Sequence, residues 1–343
     1  ASWEPDLWGR VRRSVEAADA DVAQQAALLD AARLGVAGEV ARNYFLLRTN
    51  QRQLRLSRDD IAAMEQRLTL IEARVRAGTL DHLGLERQRA ELSGLQAQLP
   101  GLMAQAAAYE NQLGLLLGEH PGALHELLRP APDGKWTMPP DLAPGLPAEV
   151  ATRRPDIRAA EQRLRSATAG IGVAKADLYP RITLGAQFGY ESYLGSRFGD
   201  WGSRTWSIGP SLDLPLFDHG RRTSVVQLRE LQQQEAAVDY HRTVLQAWQE
   251  IDDALNGYEA CRQQAQKQAE RLASARAAYE LVQAQYAAGT VDFLAVLDSQ
   301  RSWLQARRDL VSSQGQLDVQ YVAVNKAVGN VPPAAAGPVD AHP

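Results

Sequence analysis

Side chains able to do covalent or metal chemistry are few and scattered along this chain. The six histidines, at 82, 120, 125, 219, 241 and 342, show no HExxH or clustered spacing, so no pair of imidazoles shares a helix face as a zinc hydrolase requires. The single cysteine, Cys261, lies in the helical pattern Tyr258-Glu259-Ala260-Cys261-Arg262 and reads as a half-buried, inert thiol. One cysteine excludes a disulfide framework and a multi-cysteine metal site. There is no P-loop, no GxSxG and no Rossmann fingerprint. The expectation is a non-enzyme without cofactor or metal. What does recur is Gly78-Thr79-Leu80-Asp81, found again as Gly289-Thr290-Val291-Asp292, 211 residues on. A glycine that ends one helix at positive φ and an aspartate that caps the next is the chemistry of a tight reversal.

The same offset holds elsewhere. Gly9-Arg10 recurs as Gly220-Arg221, Glu39 as Glu250, and Gly118 as Gly329. A period this long marks a duplicated module rather than a solenoid unit. Between the landmarks, about Val11 to Ala77 and about Thr223 to Ala288 are rich in Ala, Gln, Arg, Glu and Leu without proline, which predicts two unbroken helices. Each would be a rod of about 100 Å, far longer than helices of ordinary globular domains. A return helix follows each turn. Its seam in the first copy is Leu85, Gln88, Leu92, Leu95, Leu99, Leu102, Ala106, Tyr109, Leu113 and Leu116. In the second it is Val296, Ser299, Trp303, Ala306, Leu310, Ser313, Leu317, Gln320, Val324 and Ala327. Alternating spacings of three and four are those of a coiled coil. Pro100-Gly101 predicts a kink in the first return helix.

Between the copies, residues 119–150 carry seven prolines and read as an irregular linker, and 151–178 as a short helix opened by Arg154-Pro155-Asp156. The stretch 179–217 is different. Ile182, Leu184, Ala186, Phe188 and Tyr190 alternate with Thr183, Gly185, Gln187, Gly189 and Glu191; Trp206, Ile208, Pro210, Leu212 and Leu214 alternate with Thr205, Ser207, Gly209, Ser211 and Asp213. This predicts a hairpin of two strands, 182–193 and 205–216, each with one apolar face. A membrane strand needs about 9–11 such residues; a soluble hairpin with one buried face is the alternative. On the membrane reading, Leu184, Phe188, Ile208 and Leu212 face lipid. Tyr190, Tyr193, Trp201 and Trp206 would form an interfacial girdle. No stretch approaches the roughly 20 apolar residues of a transmembrane helix. A formal charge of −4 argues against nucleic acid as a partner. Two strands cannot close a barrel, so several chains would share one. The fold class is therefore mainly α with membrane β-strands. It combines duplicated coiled-coil hairpins (9–118 and 218–331), forming an α-barrel, with a β-hairpin contributing to a shared transmembrane barrel. Residues 1–8 read as the remnant of a first-repeat strand and 332–343 as a disordered tail. By the duplication, a helix, a strand and most of a second strand are expected ahead of Ala1; the residues Ala1-Ser2-Trp3-Glu4-Pro5 themselves carry no basic n-region or apolar h-region of a signal peptide.

Four motifs are found together: Ser2-Trp3-Glu4-Pro5-Asp6-Leu7-Trp8-Gly9-Arg10-Val11-Arg12-Arg13, Arg153-Arg154-Pro155-Asp156-Ile157-Arg158-Ala159-Ala160-Glu161, Tyr179-Pro180-Arg181-Ile182 and Tyr286-Ala287-Ala288-Gly289-Thr290. In these the chain resembles the outer-membrane efflux channels of the TolC/OprM-like family, close to the lipoprotein branch that partners resistance-nodulation-division pumps. The resemblance implies a homotrimer with a twelve-stranded barrel in outer-membrane lipid of a Gram-negative bacterium. It also implies a long periplasmic extension, a periplasmic adaptor and an inner-membrane pump as partners, and passive conduction of drugs or other small molecules. A type I protein-secretion duct on the same fold, and a soluble periplasmic adaptor with helical hairpins, are the alternatives; an adaptor would carry one hairpin and no amphipathic strand pair.

The resemblance also assigns sites. The turns at Gly78, Thr79, Gly289 and Thr290 correspond to adaptor-docking grooves, or to plain helix termination. Asp81, Asp292 and Asp298 would ring a closed aperture, where acidic rings select cations, or act as solvated helix caps. Tyr286 matches the family's tip tyrosine. Its usual partners are absent, since Val291 and Gly84 stand in their places, and the offset suggests an Arg87–Asp298 clasp instead. Thr183, Gln187, Glu191, Thr205, Ser207, Ser211 and Asp213 would wet the barrel lumen.

Overall fold

The computed structural model describes residues 1–78, 81–130, 136–140, 153–193, 195–214 and 216–330. Five helices dominate: α1 (Arg10–Arg76), α2 (His82–Leu117), α3 (Pro155–Ala176), α4 (Arg221–Ala287) and α5 (Phe293–Ala327). Three strands, β1 (Ser2–Trp3), β2 (Arg181–Tyr190) and β3 (Arg204–Asp213), accompany them. Among the described residues, no helix is long and apolar enough to cross a membrane. The 119–130 segment has turns rather than helix, and the expected tail at 332–343 lies outside the described residues.

The duplication is visible in the backbone itself. α1 and α4 are 67 residues each, and α2 and α5 are 36 and 35. The repeated glycines share one conformation: φ is 79° at both Gly9 and Gly220, 70° and 74° at Gly78 and Gly289, and 74° and 77° at Gly118 and Gly329. Only glycine occupies this left-handed region without a Cβ penalty. The repeat thus preserves residues at the places where the chain must reverse or start a helix. The helix expected to bend at Pro100 runs through it as one element.

The chain divides into two compact units, residues 1–32 with 147–248, and residues 33–146 with 249–343. In the first, β1, β2 and β3 form an antiparallel sheet in that order. Leu184 faces Pro210, Ile182 faces Leu212, Ala186 faces Ile208 and Phe188 faces Trp206 across β2 and β3. Pro210 thereby sits on an edge strand of the described sheet, where its missing N–H is tolerated. The strands are ten residues each, shorter than the expected 182–193 and 205–216. The alternation in sequence outlasts the strands: the Glu191 N–H still donates in register to the Ser203 carbonyl at 2.7 Å, but Trp201–Ser203 form a 3-10 turn that stops β3 from extending further. Glu191 therefore lies beyond the end of β2. At the other end Glu4 accepts from Arg10 (2.9 and 2.6 Å) and from Arg181 (2.8 Å). Trp8 stacks on Tyr179 with centroids 4.8 Å apart. Those contacts tie strand ends to the start of α1. α3 opens with Pro155 at its first position, while Arg154 forks onto Asp156 at 3.1 and 2.6 Å.

In the second unit the coiled-coil seams are the core. Every seam residue named above is buried or half-buried. Ile61 and Met64 of α1, Leu92 and Leu95 of α2, and Leu304 of α5 form one cluster; Leu47, Leu113 and Leu128 form another. α1 and α2 run antiparallel, held by Glu72–Arg89 at 2.8 Å and a hydrogen bond from Gln96 to Glu65 at 3.0 Å. α4 and α5 do likewise through Arg271–Asp309 at 2.7 Å and the stacked pair Tyr279–Trp303.

Candidate functional site

Both hairpin tips are built on the same principle. At the second, the Gly289 N–H donates to the Tyr286 carbonyl and the Thr290 N–H to the Gln285 carbonyl, each at 3.0 Å, which closes the last helical turn. The Thr290 hydroxyl donates to that same Gln285 carbonyl. Asp292 then accepts the Ala295 N–H at 3.0 Å, and Asp81 accepts the Gly84 N–H at 3.0 Å in the first hairpin. Both carboxylates thus serve as N-caps of the return helices. Gly78 has the expected conformation, while Thr79 lies outside the described residues.

Tyr286 is half-buried against Phe293, ring centroids 5.6 Å apart. Phe293 in turn fills the space beside Gly84, where a Cβ would lie 3.1 Å from its Cδ1. The sequence marks Gly84 only as standing where a partner of Tyr286 is missing, and passes over Phe293; the signal was a glycine in the first turn of a helix facing an aromatic in the equivalent turn of the other copy. Arg87 and Asp298 are exposed and, among the described residues, do not pair with each other. The ion pair joining α2 to α5 is instead Glu91–Arg301 at 2.7 Å. Seam positions face inward, and Arg87 and Asp298 fall off the seam, which leaves each in solvent.

Farther along the same unit, charges are buried between α1 and α5. Asp60, with its side chain 3% exposed, accepts from Arg307 at 2.6 Å. Asp318 accepts from Trp136 Nε1 at 3.0 and 3.1 Å and pairs with Arg52 at 3.4 Å. Burial pushes the Asp60 carboxyl above its ordinary 3.8, with Arg307 and Arg308 pulling it down by less; burial also raises Asp318, against the Trp136 hydrogen bond. A carboxyl raised in the folded state holds a proton that the unfolded chain has released. Its contribution to stability is full below pH 3.8 and is lost as pH rises through the folded value. The melting temperature of the protein minus that of Asp60→Asn should therefore grow as pH is lowered from neutral towards that value. A difference that stays flat with pH contradicts this.

The strand pair presents the other candidate surface. Ile182, Leu184, Phe188, Tyr190, Trp206, Ile208 and Leu212 are exposed along its apolar face. The opposite face carries Thr183, Gln187, Thr205, Ser207, Ser211 and Asp213, with the Thr183 and Ser211 hydroxyls bonded at 2.6 Å. Arg204 lies over the Trp201 ring, 2.9 Å from its centroid.

Comparison with known proteins converges on one group. The family described as outer membrane efflux protein matches residues 1–119 and 146–330. The pyoverdine export outer membrane protein OpmQ of Pseudomonas putida is 33% identical over 96% of this chain and 69% of its own length. The outer membrane protein OprJ of Pseudomonas aeruginosa is 32% identical over 95% and 68%. Among solved structures, the outer-membrane channel OprN superposes with a TM-score of 0.85 at 32% identity, covering 96% of this chain and 73% of that one.

Proposed function

The chain belongs to the outer membrane efflux protein family, and on that premise we propose that it is the outer-membrane channel component of a tripartite efflux pump, a passive conduit for small molecules. It works in the outer membrane of a Gram-negative bacterium. The observation that carries the reading is the strand pair: ten-residue strands with one face apolar and exposed up to Arg204 at its end, joined to 67-residue helices. An apolar face of that length suits lipid, and lipid tolerates no open sheet edge. Copies of the chain must therefore complete a barrel.

A second feature supports assembly. On α1, Val15, Val22 and Leu29 are exposed at seven-residue spacing, and on α4 so are Leu231, Val238 and Leu245, with Leu228 and Trp248 flanking them. Unfilled heptad seams invite helices of another copy. We take the assembly to be a trimer whose barrel lumen is lined by Thr205, Ser207, Ser211 and Asp213. The tips at Gly78, Thr79, Gly289 and Thr290 meet a periplasmic adaptor, which links the channel to an inner-membrane resistance-nodulation-division pump. A soluble adaptor is disfavoured because two hairpins and an amphipathic strand pair share one chain. Deleting the gene should raise accumulation of a lipophilic dye in cells, and the wild-type gene should restore export. Unchanged accumulation would count against the reading.

The aperture lies at the tips, with Tyr286, Asp298, Asp81, Asp292 and Arg87 around it. Asp81 and Asp292 are engaged as caps, which leaves the exposed Asp298 and Arg87 and the outer part of the half-buried Tyr286 to hold neighbours. Each such contact is worth about 0.5–1.5 kcal/mol. Tyr286→Phe and Asp298→Ala should each raise ion leak partially in a planar bilayer without a pump, and the pair more. Unchanged conductance in all three would place the gate elsewhere.

A further inference from the structure

α1 and α5 pack antiparallel over a long stretch, marked by Gly38 beside Lys326, Thr49 beside Gly315, and three polar rungs. The rungs are Arg52–Asp318, Asp60–Arg307 and the hydrogen bond from Arg67 to Gln300. Two of them are ionic, and their polarity alternates: the cation is on α1 in the first and on α5 in the second. Around them Ile61 and Met64 of α1 share one cluster with Leu304 of α5, and the two helices also bury the uncharged polar side chains Asn50, Ser57 and Ser313. The rungs stand close to their limit of satisfaction, since Asp60 Oδ2, Arg52 Nε and Nη1, and Arg308 Nη1 are buried without a partner.

We propose that these charged rungs, rather than the apolar packing, set the axial register of α5 against α1 and so the relative height of the two tips. Apolar contact is non-directional, and Leu, Ile and Met side chains would meet similar neighbours after a displacement of one turn, about 5.4 Å. The charges would not. A slip of four residues, about one turn, brings Asp60 opposite Trp303 or Val311, and Arg307 opposite Leu56 or Met64. Each displacement parts the half-buried Arg307 from Asp60, a buried charge whose Oδ2 already lacks a partner, which is the strongly disfavoured case for a buried ion pair. Buried polar groups that fix register in helical packing are the best-attested use of such pairs. The consequence reaches the tips. A one-turn slip would carry the Gly289 turn past the Gly78 turn and part Phe293 from Gly84 and Arg301 from Glu91. The inference rests on helix packing alone and holds whatever the protein conducts.

The test uses the whole protein with Cys261→Ser, spin-labelled at Arg58→Cys on α1 and Ser302→Cys on α5, diluted with unlabelled protein and read by pulsed electron paramagnetic resonance. The background should give one distance. Replacing both ionic rungs with apolar residues (Arg52→Met, Asp318→Leu, Asp60→Leu, Arg307→Met) should keep the fold by circular dichroism but add a second distance, displaced by about one turn of 5.4 Å along the axis. The reversed pair Asp60→Arg with Arg307→Asp should keep the single distance, a rescue that loss of charge cannot give. If the fourfold variant does not fold, Asp60→Leu with Arg307→Met alone decides, by broadening of the distance towards the slipped value. A single unchanged distance in the folded apolar variant, or a second distance in the reversed pair, overturns the proposal.

Discussion

Leu212→Arg should cost about 2–4 kcal/mol in folding into a bilayer, whereas Ser211→Arg, one residue away, should cost far less. The two positions belong to opposite faces of β3. Leu212 is exposed on the apolar face opposite Ile182, while Ser211 pairs with Thr183, whose hydroxyl it meets at 2.6 Å. An arginine on the lipid face loses its hydration near the midplane; on the lumen face it keeps water. Urea-titrated folding into lipid vesicles measures both variants in one series. Equal tolerance of the two would mean that the faces are assigned the wrong way round or that neither meets lipid.

The second large effect concerns the helical core. Leu47 is 1% exposed and packs with Leu113 and Leu128, joining α1, α2 and the turns after α2. Leu47→Ala removes that side chain and leaves a cavity that long, rigid helices collapse into poorly, at about 2–5 kcal/mol. Leu115, two residues from Leu113 on the same helix but 72% exposed, provides the contrast. Leu115→Ala should fall within about 0.5 kcal/mol of wild type if no partner covers it. Denaturant midpoints of the two variants decide the matter, and a Leu47→Ala midpoint as high as that of Leu115→Ala would contradict the core assignment.

Legibility in the sequence followed from how local each feature is. The long helices and tight reversals could be read because each depends on its own residues: uninterrupted helix formers, and glycines that the backbone forces to positive φ at Gly78 and Gly289. The seams could be read because three-and-four spacing is a property of one helix. Strand ends could not, since the residues expected to continue the hairpin run past Tyr190 while the 3-10 turn at Trp201–Ser203 has already ended the partner strand. Contacts between copies were the least legible. The 211-residue offset suggested Arg87 against Asp298, whereas the observed neighbours, Glu91–Arg301 and Gly84–Phe293, are 210 and 209 apart. One residue turns a side chain by roughly 100° around a helix, so a small shift in phase decides who meets whom. The α1–α5 rungs join residues more than 230 positions apart, and no pattern within either helix announces them.

The claim that the protein is a passive conduit is tested most directly by the current it carries. Protein purified from outer membranes and inserted into a planar lipid bilayer should produce discrete, stable current steps with no nucleotide, pump or adaptor present. Those steps should become larger in the Tyr286→Phe, Asp298→Ala double variant if the constriction proposed at the tips limits flow. Current indistinguishable from bare lipid in both the wild type and the double variant, with insertion verified by protease protection, would contradict the account.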